Sequence, residues 1–332
     1  MRKRGKGLSS IGYITGFFGG GDPNQAQISL KMDGTFNLMM GTVDIGQGSK
    51  TALSQIAAEE MDVPVEAITY TNSDTDIVPF CMGAFASRAT FIGGNAILDA
   101  CRDLKRKMKE FVSAFWKVKA DDLVVEDNQI FLKNDPQKKM SMGELGAAST
   151  FGGAYLTGLG AYRPDGPFQV DPVTGAMPVL CAASFATTVV EVEVDTETGG
   201  VEVIRSTQAY EIGKAISPLM CRGQINGGVA MGIGMALTES VYPYWPSGDL
   251  AVDNFGDYVL ATAADMPEEN RFAILEVPHP DGPYGAKGFS EMGANAMIPA
   301  ITSAIHDAIG VWITEFPTTP ELVLRALADK KK

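Results

Sequence analysis

Histidine and cysteine are scarce in this 332-residue chain, which has two of the first and four of the second. Cys81, Cys101, Cys181 and Cys221 lie far apart, with no CxxC or zinc-finger spacing. That scatter argues against a disulfide framework, against an Fe–S cluster held by this chain alone and against zinc held wholly by side chains. It also reads as a reducing compartment. Basic residues are outnumbered, 27 Lys and Arg against 40 Asp and Glu, and the net charge of −13 argues against a nucleic-acid binder. No run approaches ~18 uninterrupted apolar residues, so no membrane span is expected. The opening Met1-Arg2-Lys3-Arg4-Gly5-Lys6-Gly7 imitates the basic start of a signal peptide. Ser and Gly interrupt the stretch from Leu8 to Phe18, and no A-x-A site comes after it, so the expected location is the cytoplasm. No nucleophile elbow accompanies His279 or His306. Gly46-Gln47-Gly48-Ser49-Lys50-Thr51 resembles the end of a P-loop, but Ser49 breaks the G-K-[ST] order.

Glycine is the residue in excess, with 37 copies and no Gly-X-Y period. The glycines gather at four loop-to-helix junctions: Gly41 to Ser49, Gly83 to Gly94, Gly223 to Gly228, and Tyr284 to Gly293. A helix N-terminus carries free N–H groups and a partial positive charge, and glycine lets a ligand approach the backbone. Four such junctions with few basic side chains suit an anionic ligand held by neutral donors. Glu291 stands inside the last of them.

Periodicity predicts a hairpin from Gln27 to Val43 turning at Asp33-Gly34, a helix over Ser49–Met61 and a short strand over Ala67–Thr71. It further predicts a long helix over Asn95–Val118 and a hairpin over Leu123–Leu132. Residues 150–178 lack periodicity and read as a connection between lobes. Strands follow over Ser184–Val194, Val201–Ala209 and Phe272–Val277, with helices over Gly223–Glu239, Ala294–Ile309 and Pro320–Lys330. The expected class is α+β, in two similar lobes of mainly antiparallel sheet with packed helices, divided as residues 1–165 and 166–332.

At the four junctions the chain resembles the molybdopterin-binding subunit of the xanthine oxidase family of molybdenum hydroxylases. Gly41–Gly48 is similar to the family's G-x-x-x-x-G-Q-G loop, and Ser87–Gly94 to the stretch ahead of its long helix. Gly223–Gly227 is similar to G-Q-x-x-G, and Gly285–Glu291 to G-A-K-G-x-x-E, whose Glu is the family's catalytic base. The match covers nearly this whole chain but only half of the family's subunit. The family's G-G-x-F-G-G and R-x-F-G motifs are absent, which implies that the N-terminal half sits on a separate, larger polypeptide.

The resemblance implies roles for individual residues. Glu291 would be the base. Gly46, Gln47, Gly48, Ala84, Phe85, Ala86, Ser87, Arg88, Ala89, Gln224, Lys287 and Gly288 would hold the cofactor, several of them through backbone donors. Tyr13, Phe17 and Phe18 would line the substrate. The cofactor would be molybdenum–molybdopterin, in the cytosine dinucleotide form, with a sulfido or selenido ligand and no metal ligand from the protein. A 2Fe–2S subunit and an FAD subunit would carry electrons away. The stretches around Tyr13 and from Phe85 to Arg88 are most similar to nicotinate-hydroxylating members. The implied substrate is therefore nicotinate or a like N-heterocycle, with a purine, an aldehyde or an aromatic thioester as alternatives. A non-catalytic assembly protein would not need Glu291.

Overall fold

The computed structural model describes residues 1–16, 21–164, 171–176, 182–240, 252 and 254–330. Two four-stranded sheets organise them. The first contains β2 (Asn24–Leu30), β3 (Phe36–Met39), β4 (Ile68–Thr71) and β8 (Thr157–Tyr162), in the order β4-β3-β2-β8. The second contains β1 (Arg2–Thr15), β9 (Ala182–Asp195), β10 (Val201–Glu211) and β11 (Glu269–Leu275), in the order β1-β9-β10-β11. A small three-stranded sheet, β5 (Leu123–Glu126), β6 (Gln129–Leu132) and β7 (Asp135–Ser141), flanks the first lobe. The class is α+β, as the sequence implies.

The two large sheets share one plan. In each, a hairpin (β2–β3 or β9–β10) is followed by a helical crossover to a parallel edge strand. The crossover is α1 (Ser49–Met61) in one lobe and α4 (Pro218–Leu237) in the other. A second helix then follows, α2 (Gly94–Trp116) or α5 (Met292–Ile309), and packs across the hairpin and the opposite edge strand, β8 or β1. Even the contact chemistry repeats. On β8, Gly158 and Gly160 lie so close to the α2 backbone that a Cβ would overlap the carbonyls of Ala100 and Ala96. On β1, Gly5 and Gly7 lie equally close to the carbonyls of Ala304 and Ala300 in α5. Backbone-to-backbone packing of this kind needs glycine on the strand and alanine on the helix.

Apolar cores fill both lobes. Ile28, Phe36, Leu38, Leu53, Ile56, Ile97 and Leu104 are buried between the first sheet and its helices. Val190, Val192, Val194, Val229, Ile233, Met297 and Ile301 do the same in the second. Two short helices, α3 (Met142–Phe151) and α6 (Pro320–Asp329), complete the elements. A capping box of Ser141 and Glu144 starts α3, and Thr319 caps α6.

Most elements fall where periodicity places them. The α1 bounds coincide, and the 123–132 hairpin turns through Asp127 (φ 50°) and Asn128 (φ 56°), as a two-residue connection requires. Three strands and one helix depart from that pattern: β7 and α3 fill residues 135–151, where periodicity places nothing, and β1 and β8 are the other two strands. Residues 150–178 are not merely a connection, because β8 lies within them. The chain start forms the 14-residue β1. Both strands are glycine-rich because a helix backbone lies on them, and that strips away the β-branched signal of a strand. The strand β1 crosses the expected division at residue 165. It lies in the first 165 residues yet pairs with β9 along its whole length, from Arg2 opposite Asp195 to Thr15 opposite Ala182.

Candidate active site

Gly223–Gly228 lies inside α4, which starts at Pro218, and is not the loop-to-helix junction that the sequence suggests. The other three glycine-rich stretches run from the carboxyl end of a strand into a helix. Those ends face each other across the two lobes, where a sheet with parallel edges leaves a crevice. The crevice is a cleft of about 550 Å³. Its walls come from residues 45–52 before and in α1, 84–90 before α2, 212–235 around α4, and 287–295 before and in α5.

The loop into α1 is braced from within. One carboxylate, that of Asp44, accepts hydrogen bonds from the backbone N–H groups of Gly46 (2.9 Å), Lys50 (3.0 Å) and Gly48 (3.3 Å). The Gln47 amide donates to the Val43 carbonyl (3.0 Å) and the Ser49 hydroxyl, and accepts from the Ile45 N–H (2.6 Å). The chain's own carboxylate thus meets donors at this helix start, and the Gln47 side chain shapes its loop. Partial burial disfavours the Asp44 charge, but the three backbone donors outweigh it and hold the carboxyl below its ordinary 3.8. A depressed folded-state value contributes stability above pH 3.8, and that contribution is lost as pH falls through the lower folded value. Asp44→Asn is therefore expected to cost about 1–2 kcal/mol at pH 7 and almost nothing at pH 2, read from denaturant midpoints at both pH values.

The loop into α2 is held from below by Arg88, which is fully buried. Its Nε donates to Asp22, its Nη1 to the Gly83 carbonyl (3.0 Å) and its Nη2 to the Pro23 carbonyl (2.7 Å). The guanidinium therefore works as an internal strut, and this loop presents Phe85 and small side chains to the cleft. Two consecutive non-glycine residues there, Ala86 (φ 46°) and Ser87 (φ 49°), are left-handed. From here the backbone passes through a π-type turn, Ala89–Gly93, directly into α2.

The last junction is anchored on the second sheet. Lys287 directs its ammonium to Glu211 (2.8 Å) and the Ala183 carbonyl (3.0 Å), both within the protein. Gly288 donates to the Thr15 hydroxyl (3.0 Å), and its carbonyl accepts from the Ser184 hydroxyl (2.8 Å). A Cβ at Gly288 would overlap the Ser87 carbonyl. Gly288→Ala is expected to lose about 1–3 kcal/mol of stability, read as a lower urea midpoint, because neither backbone can withdraw.

Glu291 follows at the first turn of α5. The Ser87 hydroxyl donates to its Oε2. The Tyr13 hydroxyl lies near both Glu291 and Ser87, and burial, then the Glu291 charge, pushes the phenol up. Residues 13, 87 and 291 thus meet at one point. The opposite wall is the exposed face of α4, where the Gln224 amide has no hydrogen bond to the described residues. A Cβ at Gly223 or Gly227 would meet nothing within 4 Å. Those two glycines cost a helix about 1 kcal/mol each without a packing reason among the described residues. Gly228, by contrast, is needed: its Cβ would lie 2.7 Å from the Gly293 Cα where α4 crosses α5.

The cleft therefore gathers Gln47, Gly48, Ala84, Phe85, Ser87, Arg88, Ala89, Gln224, Lys287, Gly288 and Glu291. Gly46 and Ala86 are not among the residues that line it, and Phe17 and Phe18 lie outside the described residues. The supporting groups Asp44, Asp22, Thr15, Ser184 and Glu211 escape sequence reasoning. Only Asp44 leaves a trace there, as a loop Asp ahead of glycines.

Residues 1–267 match the model of the molybdopterin cofactor-binding domain. The chain belongs to the xanthine oxidase family of molybdenum hydroxylases. It is 33% identical over 298 residues to the 6-hydroxypseudooxynicotine dehydrogenase complex subunit gamma of Paenarthrobacter nicotinovorans, covering 89% of this chain and 36% of that protein. It is 30% identical to the putative xanthine dehydrogenase molybdenum-binding subunit XdhA of Escherichia coli, covering 96% of this chain and 41% of the other. Its fold superposes on quinoline 2-oxidoreductase from Pseudomonas putida 86 with a TM-score of 0.84 at 26% identity, over 99% of this chain and 42% of the other. This family member thus spans less than half the length of these relatives. Its cleft suits the family's cofactor in donor chemistry. The cleft offers backbone N–H groups, an uncommitted amide and a helix face bared by glycine, whereas no group of three His, Cys, Asp or Glu among the described residues could hold a metal ion directly. No helix among the described residues is long and apolar enough to cross a membrane.

Proposed function

We propose that this chain forms one part of the molybdopterin-binding unit of a cytoplasmic hydroxylase acting on an electron-poor N-heterocycle, with nicotinate as the first substrate to test. The observation that carries the reading is Glu291, a carboxylate held in the cleft where both lobes' glycine junctions converge. Bound there, a molybdenum–pterin group, in the cytosine dinucleotide form with a sulfido or selenido ligand, supplies the two-electron redox chemistry of ring hydroxylation, with water as the oxygen source. Gln224, the backbone of residues 84–89 and the bare face of α4 hold it. Glu291 takes up the proton that the incoming oxygen releases, a task suited to a carboxylate. Tyr13 stands beside that carboxylate, where it can face a substrate ring.

Three of the relatives support the ring chemistry, since xanthine, quinoline and 6-hydroxypseudooxynicotine all contain nitrogen heteroaromatic rings. Others are a carbon monoxide dehydrogenase and aldehyde oxidoreductases, so an aldehyde stays among the alternatives. Relatives named as a complex subunit gamma and as a molybdenum-binding subunit support partners: a larger molybdopterin polypeptide, with 2Fe–2S and FAD subunits to receive electrons. The test is to purify the assembled complex, measure molybdenum and pterin, and compare turnover of nicotinate with that of hypoxanthine. Bound cofactor with a preference for nicotinate is the expected result. An active complex without molybdenum and pterin refutes the reading, and a preference for hypoxanthine moves the substrate to the purines.

A further inference from the structure

The base is not held by its own element. Glu291 begins α5 and has no hydrogen bond from a neighbour in that helix to fix its carboxylate. A glutamate has three rotatable bonds, and a free one samples several rotamers. Here the Ser87 hydroxyl, from the other lobe, donates to Oε2, and Tyr13, from β1, lies near the same carboxylate.

The backbone around Ser87 is built for that contact. Left-handed geometry at Ala86 and Ser87 is sterically unfavourable for a non-glycine residue. Strain of this kind persists only where the surroundings over-determine it. Four contacts do so here. The Arg88 guanidinium grips the Gly83 carbonyl just upstream. The Gly16 N–H donates to the Ala86 carbonyl (2.9 Å). The missing side chain of Gly288 lets that backbone lie directly on the Ser87 carbonyl. The Arg88 N–H closes the turn onto Phe85 (3.1 Å). If the loop served only to expose backbone donors, glycine at 86 and 87 would do so without strain. A serine in this conformation keeps a hydroxyl where glycine has none.

We propose that Ser87 is a positioning residue for Glu291, its hydroxyl holding one carboxylate oxygen so that the side chain keeps a single orientation toward the reacting proton. Tyr13 completes the clamp from the second sheet. The role rests on Glu291 being the base, and it is distinct from any backbone contact Ser87 makes with the cofactor. Fixing a reacting group matters because a displacement of about 1 Å can cost about 100-fold in rate.

The decisive variant is Ser87→Gly, with Ser87→Ala beside it. Glycine relieves the left-handed strain and removes only the hydroxyl. In the assembled enzyme, Ser87→Gly is expected to retain parental molybdenum and pterin content and KM, while kcat falls about 10- to 100-fold. A crystal structure of the same variant is expected to show Glu291 in more than one rotamer. Tyr13→Phe is expected to loosen the Glu291 carboxylate in the same way. A Ser87→Gly enzyme with kcat within twofold of the parent overturns the proposal. So does one whose activity falls only in step with lost cofactor, or one whose Glu291 stays in its original rotamer. Near-parental turnover of Glu291→Gln would instead refute the base reading, whatever Glu291's rotamer in the Ser87 variant.

Discussion

Replacing Glu291 with glutamine is expected to leave the fold and the bound cofactor intact while turnover falls about 10³- to 10⁴-fold. The exchange preserves shape. The amide oxygen of glutamine can still accept the Ser87 hydrogen bond, so the loop before α2 keeps its seat. What disappears is the capacity to accept a proton. The loss should therefore appear in kcat with little change in KM, since uniform binding is untouched. Metal and pterin analysis of the same preparation separates this outcome from simple cofactor loss. A variant with full metal content and turnover within tenfold of the parent removes Glu291 from the role of base.

Arg88→Met is expected to be the most destabilising single change near the cleft, at about 3–5 kcal/mol. The guanidinium is wholly buried, and its partner Asp22 is only 2% exposed on its side chain. Methionine fills much of the volume but leaves the Asp22 charge without its cation. It also removes the donors to the Gly83 and Pro23 carbonyls. Lysine would restore the charge but not the three-direction grip of a planar fork. Thermal unfolding of the assembled protein reads the loss. A shift of less than about 2 °C would show that the surroundings replace the strut.

Much of the architecture was legible because binary patterning and turn chemistry agree. The helices α1 and α2 have clear periodicity, and Asp33-Gly34 and Asp127-Asn128 mark their hairpins. The strands β1 and β8 were hidden for one reason. Each packs main chain against main chain on a helix, so R-G-K-G-L and T-G-L-G-A replace the branched residues that advertise a strand. At the cleft, the glycines and Glu291 were legible through their motifs. Which side chains face inward to support them was not. Arg88, Lys287 and Gln47 carry groups that a linear motif suggests are for a ligand, yet each finds its partner inside the protein. Partners such as Asp22 and Glu211, 66 and 76 residues away in the chain, leave no local signal.

The long pairing of β1 with β9 also sets a schedule for folding. The strand at Arg2–Thr15 finds its hydrogen-bond partner only at Ala182–Asp195 and its covering helix only at Met292–Ile309. At about 5–20 residues per second, a ribosome needs roughly 10–40 s to make the partner strand after β1 emerges. Through that interval β1 waits with both edges open, its early residues carrying Arg2, Lys3, Arg4 and Lys6. Charged residues on a waiting strand discourage it from pairing with the wrong neighbour. The basic residues Arg2, Lys3, Arg4 and Lys6 thus fall on a late-closing strand, where their charge opposes pairing with the wrong neighbour until its own sheet exists.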